Sequence, residues 1–209
     1  MKSVKLKKPV LAIISLLSLS GILIDVYANF LKGGIVASIS IFKYFTLQSN
    51  FFVFVFSFLA LCDFRFVTDK PDFKRLLSPI TSYIFLTGIT YLIILAPTSH
   101  AVGLQKTASI LLHYIVPPLM FLYWLFFEDR KLKYNDIWTW MIYPFLFMLW
   151  GLGLAIIKGD YLYPFFDISK LGVLVVPYLM AMALAFASIG LLLVFLNRSV
   201  KLVDSKSAS

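Results

Sequence analysis

Hydrophobic residues along this chain gather into six long runs that are separated by short polar connections. The runs cover about residues 9–29, 44–64, 76–96, 107–127, 137–157 and 172–196. Each run is close to the ~20 apolar residues that a helix needs to cross the hydrocarbon core of a bilayer. The pattern predicts an all-α, polytopic membrane protein built as a bundle of six transmembrane helices. Because the connections are too short to hold another folded module, we expect residues 1–209 to form a single domain.

Composition supports this class of protein. Of the 209 residues, 61% are hydrophobic and only 14% are charged, and the mean hydropathy is +0.91. A soluble domain of this length carries far more charge. The one cysteine, Cys62, excludes a disulfide within the chain.

The net charge of +9 could indicate a nucleic-acid partner, but the distribution of the basic residues favours a membrane. Five of the 19 basic residues flank one side of the predicted spans: Lys32, Lys43, Lys106, Lys158 and Lys170. The other fourteen flank the opposite side: Lys2, Lys5, Lys7, Lys8, Arg65, Lys70, Lys74, Arg75, Arg130, Lys131, Lys133, Arg198, Lys201 and Lys206. The excess of basic residues in cytoplasmic loops predicts that both termini are cytoplasmic. Attraction to anionic lipids accounts for the surplus charge, so we expect membrane lipids and no nucleic acid as partners.

An ionisable side chain interrupts the fourth apolar run. His113 lies in its first half and is followed by Pro117 and Pro118. An imidazole in hydrocarbon costs roughly 1 to several kcal/mol if it lacks a partner, so such residues face the interior of a bundle. Proline has no N–H to donate to the carbonyl four residues earlier. Pro117 therefore deprives the carbonyl of His113 of its helical bond, and Pro118 does the same to Tyr114.

Other polar residues lie at a similar predicted depth. Thr46, Ser49 and Asn50 follow one another at i, i+3 and i+4, and therefore share one face of the second span. Asp25 lies near the outer end of the first span, one helical turn before Asn29. At ~1.5 Å per residue, all of them fall in the outer half of the membrane with His113. Two simpler interpretations remain open: the stripe holds helices together by hydrogen bonds, and Asp25 lies in the headgroup layer.

This set of residues suits acyl chemistry. A threonine hydroxyl is a weak nucleophile unless a base takes its proton, and histidine is the usual base. Asn50 or main-chain N–H groups could stabilise an oxyanion. Three carboxylates are candidates to orient the second ring nitrogen of the histidine: Asp25, Asp160 and Asp167.

The last two of those carboxylates belong to an aromatic connection between the fifth and sixth spans. Its sequence predicts either a belt of aromatic residues at headgroup level or a lid over a lipid-facing site. With two histidines, one cysteine and no metal-binding spacing, the sequence predicts neither a metal nor a cofactor.

Three short motifs have a familiar form: Phe-Thr-Leu-Gln-Ser-Asn, Leu-Leu-His-Tyr-Ile-Val-Pro-Pro and Tyr-Leu-Tyr-Pro-Phe-Phe-Asp, which begin at residues 45, 111 and 161. Their order and spacing, from about residue 40 to 172, resemble the androgen-induced gene family, which includes the androgen-dependent TFPI-regulating protein (ADTRP). Members of that family are multi-pass membrane proteins. Studied animal members hydrolyse fatty acid esters of hydroxy fatty acids with an intramembrane threonine and histidine.

The resemblance implies that Thr46 is the nucleophile and His113 the base. This chain departs from the animal pattern after the threonine, where Gln48-Ser49-Asn50 replaces a more apolar run. The departure leaves Ser49 as a rival nucleophile and the identity of the ester open.

The sequence therefore predicts an intramembrane threonine hydrolase of the cell (plasma) membrane, acting on a lipid or fatty acid ester that enters from the bilayer. One alternative is a non-catalytic protein that binds lipid or takes part in signalling. Another is a small proton-coupled transporter that uses Asp25 and His113 as a relay. The apolar character of the cytoplasmic half of the spans counts against transport.

Overall fold

The computed structural model describes residues 2–64 and 68–207, and within them the side chains of residues 6–64 and 68–199. Of the basic residues counted above, Arg65 and the side chains of Lys2, Lys5, Lys201 and Lys206 lie outside this description. All regular structure in the described residues is helical, without a strand. Six of the described helices are long and apolar enough to cross a membrane: α1 (Leu6–Lys43), α2 (Phe45–Cys62), α3 (Pro71–Thr98), α4 (Gly103–Phe127), α5 (Asp136–Lys158) and α6 (Ile168–Ser199). The prediction of an all-α chain with six spans is confirmed, and the protein is an integral, multi-pass membrane protein by this criterion.

The helices belong to two compact units, Met1–Asp129 and Arg130–Ser209. In the first unit, α1 packs against α2 and α4, and α3 packs against the same two helices. In the second unit, α5 packs against α6. That the whole chain forms one domain stays a prediction.

The first span ends in a chain reversal that its hydrophobic pattern does not indicate. The helix Lys2–Ser40 is interrupted at Gly33 and Gly34, and Gly34 has φ 67° and ψ −156°, a conformation that favours glycine. Ser38 Oγ donates a hydrogen bond of 3.1 Å to the carbonyl of Val26, twelve residues earlier. In a straight helix those residues would lie ~18 Å apart. The segment after the glycines therefore folds back along α1 before α2 begins.

Helices α3 and α4 each contain a π-helical turn, at Tyr91–Leu95 and at Ile110–Ile115. The α-helix resumes at Val116, so Pro117 stands in the first turn of this segment, a position where proline is well tolerated. The π-helical turn thus accommodates the prolines. Gly88 of α3 faces this point, because a Cβ there would lie 3.1 Å from the carbonyl oxygen of His113. Glycine at 88 lets α3 approach α4 closely beside the histidine.

In the second unit, the aromatic connection packs onto its own helices. Phe166 is fully buried and lies over Gly151 of α5, where a Cβ would come 2.7 Å from Phe166 Cζ. Phe165 is buried beside Phe166, with 5.1 Å between the ring centroids. These rings anchor the connection within its unit. A role for it as a lid or an interfacial belt stays a prediction.

Candidate active site

The centre of the site is a contact between α2 and α4. Thr46 is the second residue of α2, and His113 lies in the π-helical turn of α4. Thr46 Oγ1 is 3.3 Å from His113 Nε2, and the threonine is only 9% exposed. A hydroxyl and an imidazole that are 67 positions apart in sequence thus come within hydrogen-bonding distance inside the membrane-spanning part of the first unit.

The contact made by His113 Nδ1 determines the role of Nε2. His113 Nδ1 lies 3.0 Å from the main-chain carbonyl oxygen of Ser109, one helical turn earlier. A carbonyl oxygen only accepts hydrogen bonds, so this contact assigns the proton of a neutral imidazole to Nδ1. Nε2 is then the acceptor and faces the Thr46 hydroxyl. The arrangement has the orientation that a general base requires.

A tyrosine holds the imidazole ring from one face. Tyr91 stacks on His113 with 3.8 Å between ring centroids and 19° between the ring planes. The Tyr91 hydroxyl accepts a hydrogen bond of 2.7 Å from Ser109 Oγ, and it lies 3.4 Å from Ser99 Oγ. Sequence reasoning missed Tyr91 and Ser109. Ser109 lies four residues before His113 and therefore on the same helix face, which was the one indication of the serine in the sequence. The sequence contained no indication of Tyr91.

Asn50 ties the two helices together directly behind the pair. It is fully buried, and its Nδ2 donates to the carbonyls of Thr46, at 2.9 Å, and Leu112, at 3.3 Å. Its Oδ1 has no hydrogen-bond partner among the described residues. Because the amide nitrogen is directed to two carbonyls, this geometry favours a positioning role. Stabilisation of an oxyanion by Asn50 stays a prediction.

Ser49, the rival nucleophile, points to α3. It is fully buried, and its Oγ lies 3.1 Å from the Thr46 carbonyl and 3.0 Å from Thr87 Oγ1. The Thr87 hydroxyl in turn donates to the carbonyl of Tyr83 at 2.9 Å. Among the described contacts of His113, the hydroxyl at Nε2 belongs to Thr46. The geometry therefore favours Thr46 as the nucleophile and gives Ser49 a place in the packing of α2 on α3.

Asp25 lies near the histidine but does not bond to it. Its Oδ1 accepts a hydrogen bond of 3.0 Å from Asn29 Nδ2. Asp25 and His113 line the same cavity of about 340 Å³. Since the described partners of His113 Nδ1 are the carbonyl oxygen and, at 3.4 Å, the hydroxyl of Ser109, the carboxylate is a neighbour of the base. An orienting role for Asp25 stays a prediction.

The other two predicted carboxylates, Asp160 and Asp167, belong to the second unit. Asp167 caps the short helix Ile168–Leu171, accepting hydrogen bonds of 2.5 Å from Ser169 Oγ and 3.1 Å from the Lys170 N–H. The bond from Ser169, together with those from Lys170, holds the pKa of Asp167 below its usual range although desolvation opposes the shift. This carboxylate is satisfied locally. Roles for Asp160 and Asp167 as partners of His113 stay predictions.

Metal ligands do not converge in the part of the chain that the structure describes, since no three His, Cys, Asp or Glu side chains form a group able to hold an ion there. No protein-family model, curated protein or solved structure matches this chain. The residues of the site themselves are therefore the basis for a functional proposal.

Proposed function

We propose that this protein is an intramembrane threonine hydrolase of lipid esters, with Thr46 as nucleophile and His113 as general base. One observation carries the proposal: Thr46 Oγ1 lies 3.3 Å from His113 Nε2 while Nδ1 is directed at the Ser109 carbonyl. Apo sites often show such hydrogen bonds slightly long, and they tighten when substrate binds.

In the first half of the proposed reaction, Thr46 Oγ1 attacks the acyl carbonyl carbon of the ester while His113 Nε2 takes the hydroxyl proton. The tetrahedral intermediate collapses when the alcohol oxygen leaves with that proton. The products are the free alcohol and an acyl group esterified to Thr46.

In the second half, a water molecule attacks the acyl carbonyl carbon and gives its proton to His113 Nε2. The bond to Thr46 Oγ1 then breaks, and the oxygen recovers a proton from the imidazolium. The carboxylic acid is released, and the threonine and the neutral histidine are restored. The two steps balance without a cofactor.

Negative charge on the tetrahedral intermediate requires hydrogen-bond donors. Thr46 lies in the first turn of α2 and precedes its first main-chain bonds, which the N–H groups of Leu47 and Gln48 donate to the Tyr44 carbonyl. The positive end of the helix dipole also lies at this point. The main-chain N–H of Thr46 and the α2 N-terminus are therefore our candidates for stabilising the oxyanion.

The proposed substrate is an ester between a fatty acid and a hydroxy fatty acid, as the resemblance to the androgen-induced gene family implies. Such a molecule resides in the bilayer, so it can reach a site within the spans from the lipid. We further propose membership of that family, cytoplasmic placement of both termini and residence in the plasma membrane. The distribution of basic residues supports the orientation.

The test is covalent labelling of the purified protein by a fluorophosphonate probe, together with hydrolysis of a fatty acid ester of a hydroxy fatty acid followed by mass spectrometry. We expect labelling and hydrolysis in the wild type and neither in Thr46→Ala or His113→Ala. Thr107→Ala, at an exposed threonine of α4, is the matched control and should behave as wild type. A folded wild type that neither labels nor hydrolyses any lipid ester would replace this proposal with a lipid-binding role.

A further inference from the structure

Hydrolysis within a membrane needs a route for water, and the cavity that reaches His113 has the composition of one. Six of the residues that line it are polar: Asp25, Ser99, His100, Gln105, Ser109 and His113. Its volume of about 340 Å³ is several times the ~30 Å³ that one water molecule occupies in the liquid. Cavities of this size hold water when polar groups line them and stay dry when they are apolar.

The cavity connects the base with the surface of the first unit. Ser99 and His100, in the connection between α3 and α4, are exposed. Ser109 and His113, at the other end of the lining, are half-buried within α4. Gln105, one helical turn before Ser109, also lines the cavity, and its Oε1 accepts a hydrogen bond of 2.5 Å from Lys32 Nζ, directly before the interruption of α1 at Gly33 and Gly34. Polar groups thus continue from the exposed connection to the imidazole that would activate water.

On its apolar side, the pair adjoins a closely packed cluster of described side chains. Leu47 and Leu112 are the chain neighbours of Thr46 and His113, and they pack with Ile22 and Ile41 into a buried cluster. Each of these four side chains is at most 6% exposed. Water entering there would have to displace close-packed hydrocarbon, which is unfavourable.

We propose that this cavity is a hydrated passage that delivers the hydrolytic water to His113, while the acyl chain approaches from the lipid. The inference rests on the proposed function for its purpose, but the hydration of the passage is testable without any enzymatic activity. It assigns Asp25, Gln105 and Ser109 a role in keeping the passage polar.

The first experiment measures water access with single cysteines introduced after Cys62→Ala. Ser109→Cys places a thiol in the passage, and Ile110→Cys places the matched thiol on the adjacent residue, which is 41% exposed but does not line the cavity. In phosphatidylcholine nanodiscs, a positively charged, membrane-impermeant methanethiosulfonate reacts with thiolates, which require water to form. We expect modification at least ~10-fold faster at 109 than at 110. Equal rates, or a faster rate at 110, would overturn the proposal.

A second pair of positions guards against a poorly folded variant. Gln105→Cys lies in the lining and Leu104→Cys, 42% exposed, lies outside it. The same excess of modification is expected at 105 over 104. An absence of that excess counts against the passage just as it would at 109.

The second experiment closes the passage. Ala101→Trp adds an indole to a lining residue, whereas Val102→Trp adds it to the next residue, which is 76% exposed and not part of the lining. Ala101→Trp should slow modification of Ser109→Cys, and it should keep fluorophosphonate labelling within ~2-fold because that step consumes no water. Ester turnover should fall at least ~10-fold, after a burst of about one equivalent of alcohol, because only deacylation needs the water.

Unchanged turnover in a variant whose passage is shown to be closed would refute water delivery by this route. If the wild type hydrolyses no ester, the proposed function fails while the thiol experiment still decides whether the passage is hydrated. The two failures are therefore distinguishable.

Discussion

Two buried polar clusters of the first unit differ in what their hydrogen bonds leave available. In the Glu128 cluster (Ser78, Trp124 and Glu128), Trp124 Nε1 donates to Ser78 Oγ at 2.9 Å, and Ser78 Oγ donates to Glu128 Oε2 at 2.6 Å. In the dyad cluster (Thr46, Tyr91, Ser109 and His113), the hydroxyl of Thr46 faces an imidazole nitrogen at 3.3 Å. Both are satisfied networks in an apolar surrounding, and polarity alone does not distinguish them.

Access and the nature of the acceptor do distinguish them. Ser78 is fully buried and is held between an indole donor and a carboxylate. Thr46 retains 9% exposure, and its acceptor adjoins a cavity. A neutral imidazole takes the proton of a hydroxyl and returns it in the next step, which is the usual role of histidine in acyl transfer. The comparison teaches that a buried hydroxyl becomes a candidate nucleophile only where a suitable base and a path for reactants coincide.

The largest expected effect separates the clusters by activity. Thr46→Ala or His113→Ala should lower ester hydrolysis by at least ~10³-fold, because each removes a group required in every turnover. Ser78→Ala should leave turnover per folded molecule within about 2-fold, since it lies outside the dyad cluster. Initial rates normalised to active, monodisperse protein measure both. An equal loss of ester hydrolysis in Ser78→Ala would contradict a catalytic role that belongs to the dyad cluster alone.

The second prediction concerns stability, for which we expect a clear effect of a substitution in the Glu128 cluster. Ser78→Ala leaves a buried indole N–H and a buried carboxylate oxygen without this partner, which should cost about 1–3 kcal/mol of unfolding free energy. Thermal unfolding in detergent should show a melting temperature several degrees lower. Ser199→Ala is the control, at a half-buried serine of α6 whose hydroxyl bonds to the carbonyl of Phe195 in its own helix. An unchanged melting temperature for Ser78→Ala would contradict the structural role of the Glu128 cluster.

The third prediction concerns how the dyad is positioned. Asn50→Ala removes the two hydrogen bonds that join Thr46 and Leu112, so kcat should fall about 10- to 100-fold while KM changes little. Asn50→Asp keeps the shape but loses the amide donor, and it should be impaired as well. Steady-state kinetics at several ester concentrations separate the two constants. A change confined to KM would argue for substrate contact in place of positioning.

The fourth prediction tests the ring that holds His113. Tyr91→Phe keeps the stacked ring and loses the hydroxyl that accepts from Ser109, so activity should fall only a few-fold. Tyr91→Ala removes the ring and should cost about 10-fold, because the imidazole loses its support on that face. Probe-labelling rates give a direct readout. Equal effects of the two substitutions would mean that the hydroxyl, not the ring, positions the base.

The smallest expected effect is at Ser49. Ser49→Ala should change labelling and hydrolysis by less than about 2-fold, because the Thr87 hydroxyl keeps its bond to the Tyr83 carbonyl. The measurement is the same labelling assay, run beside Thr46→Ala. Loss of labelling in Ser49→Ala alone would move the nucleophile by one helical turn.

The hydrophobic pattern by itself determined the number and type of the spans. A run of about 20 apolar residues has few alternatives to a membrane-crossing helix, because unpaired main-chain groups are too costly in hydrocarbon. The same energetics required a partner for His113, and the spacing of Thr46, Ser49 and Asn50 restricted the candidates on α2 to one face.

Only the tertiary structure decided which candidate meets the histidine and what orients it. Residues at i, i+3 and i+4 differ by modest rotations about the helix axis, so small changes in helix rotation choose among them. The π-helical turns at Tyr91–Leu95 and Ile110–Ile115 matter here, because one extra residue in a turn rotates the following side chains by roughly 100°. Hydropathy does not record that insertion. The choice of Thr46, the Ser109 carbonyl and the Tyr91 ring therefore came from packing between helices that are distant in sequence.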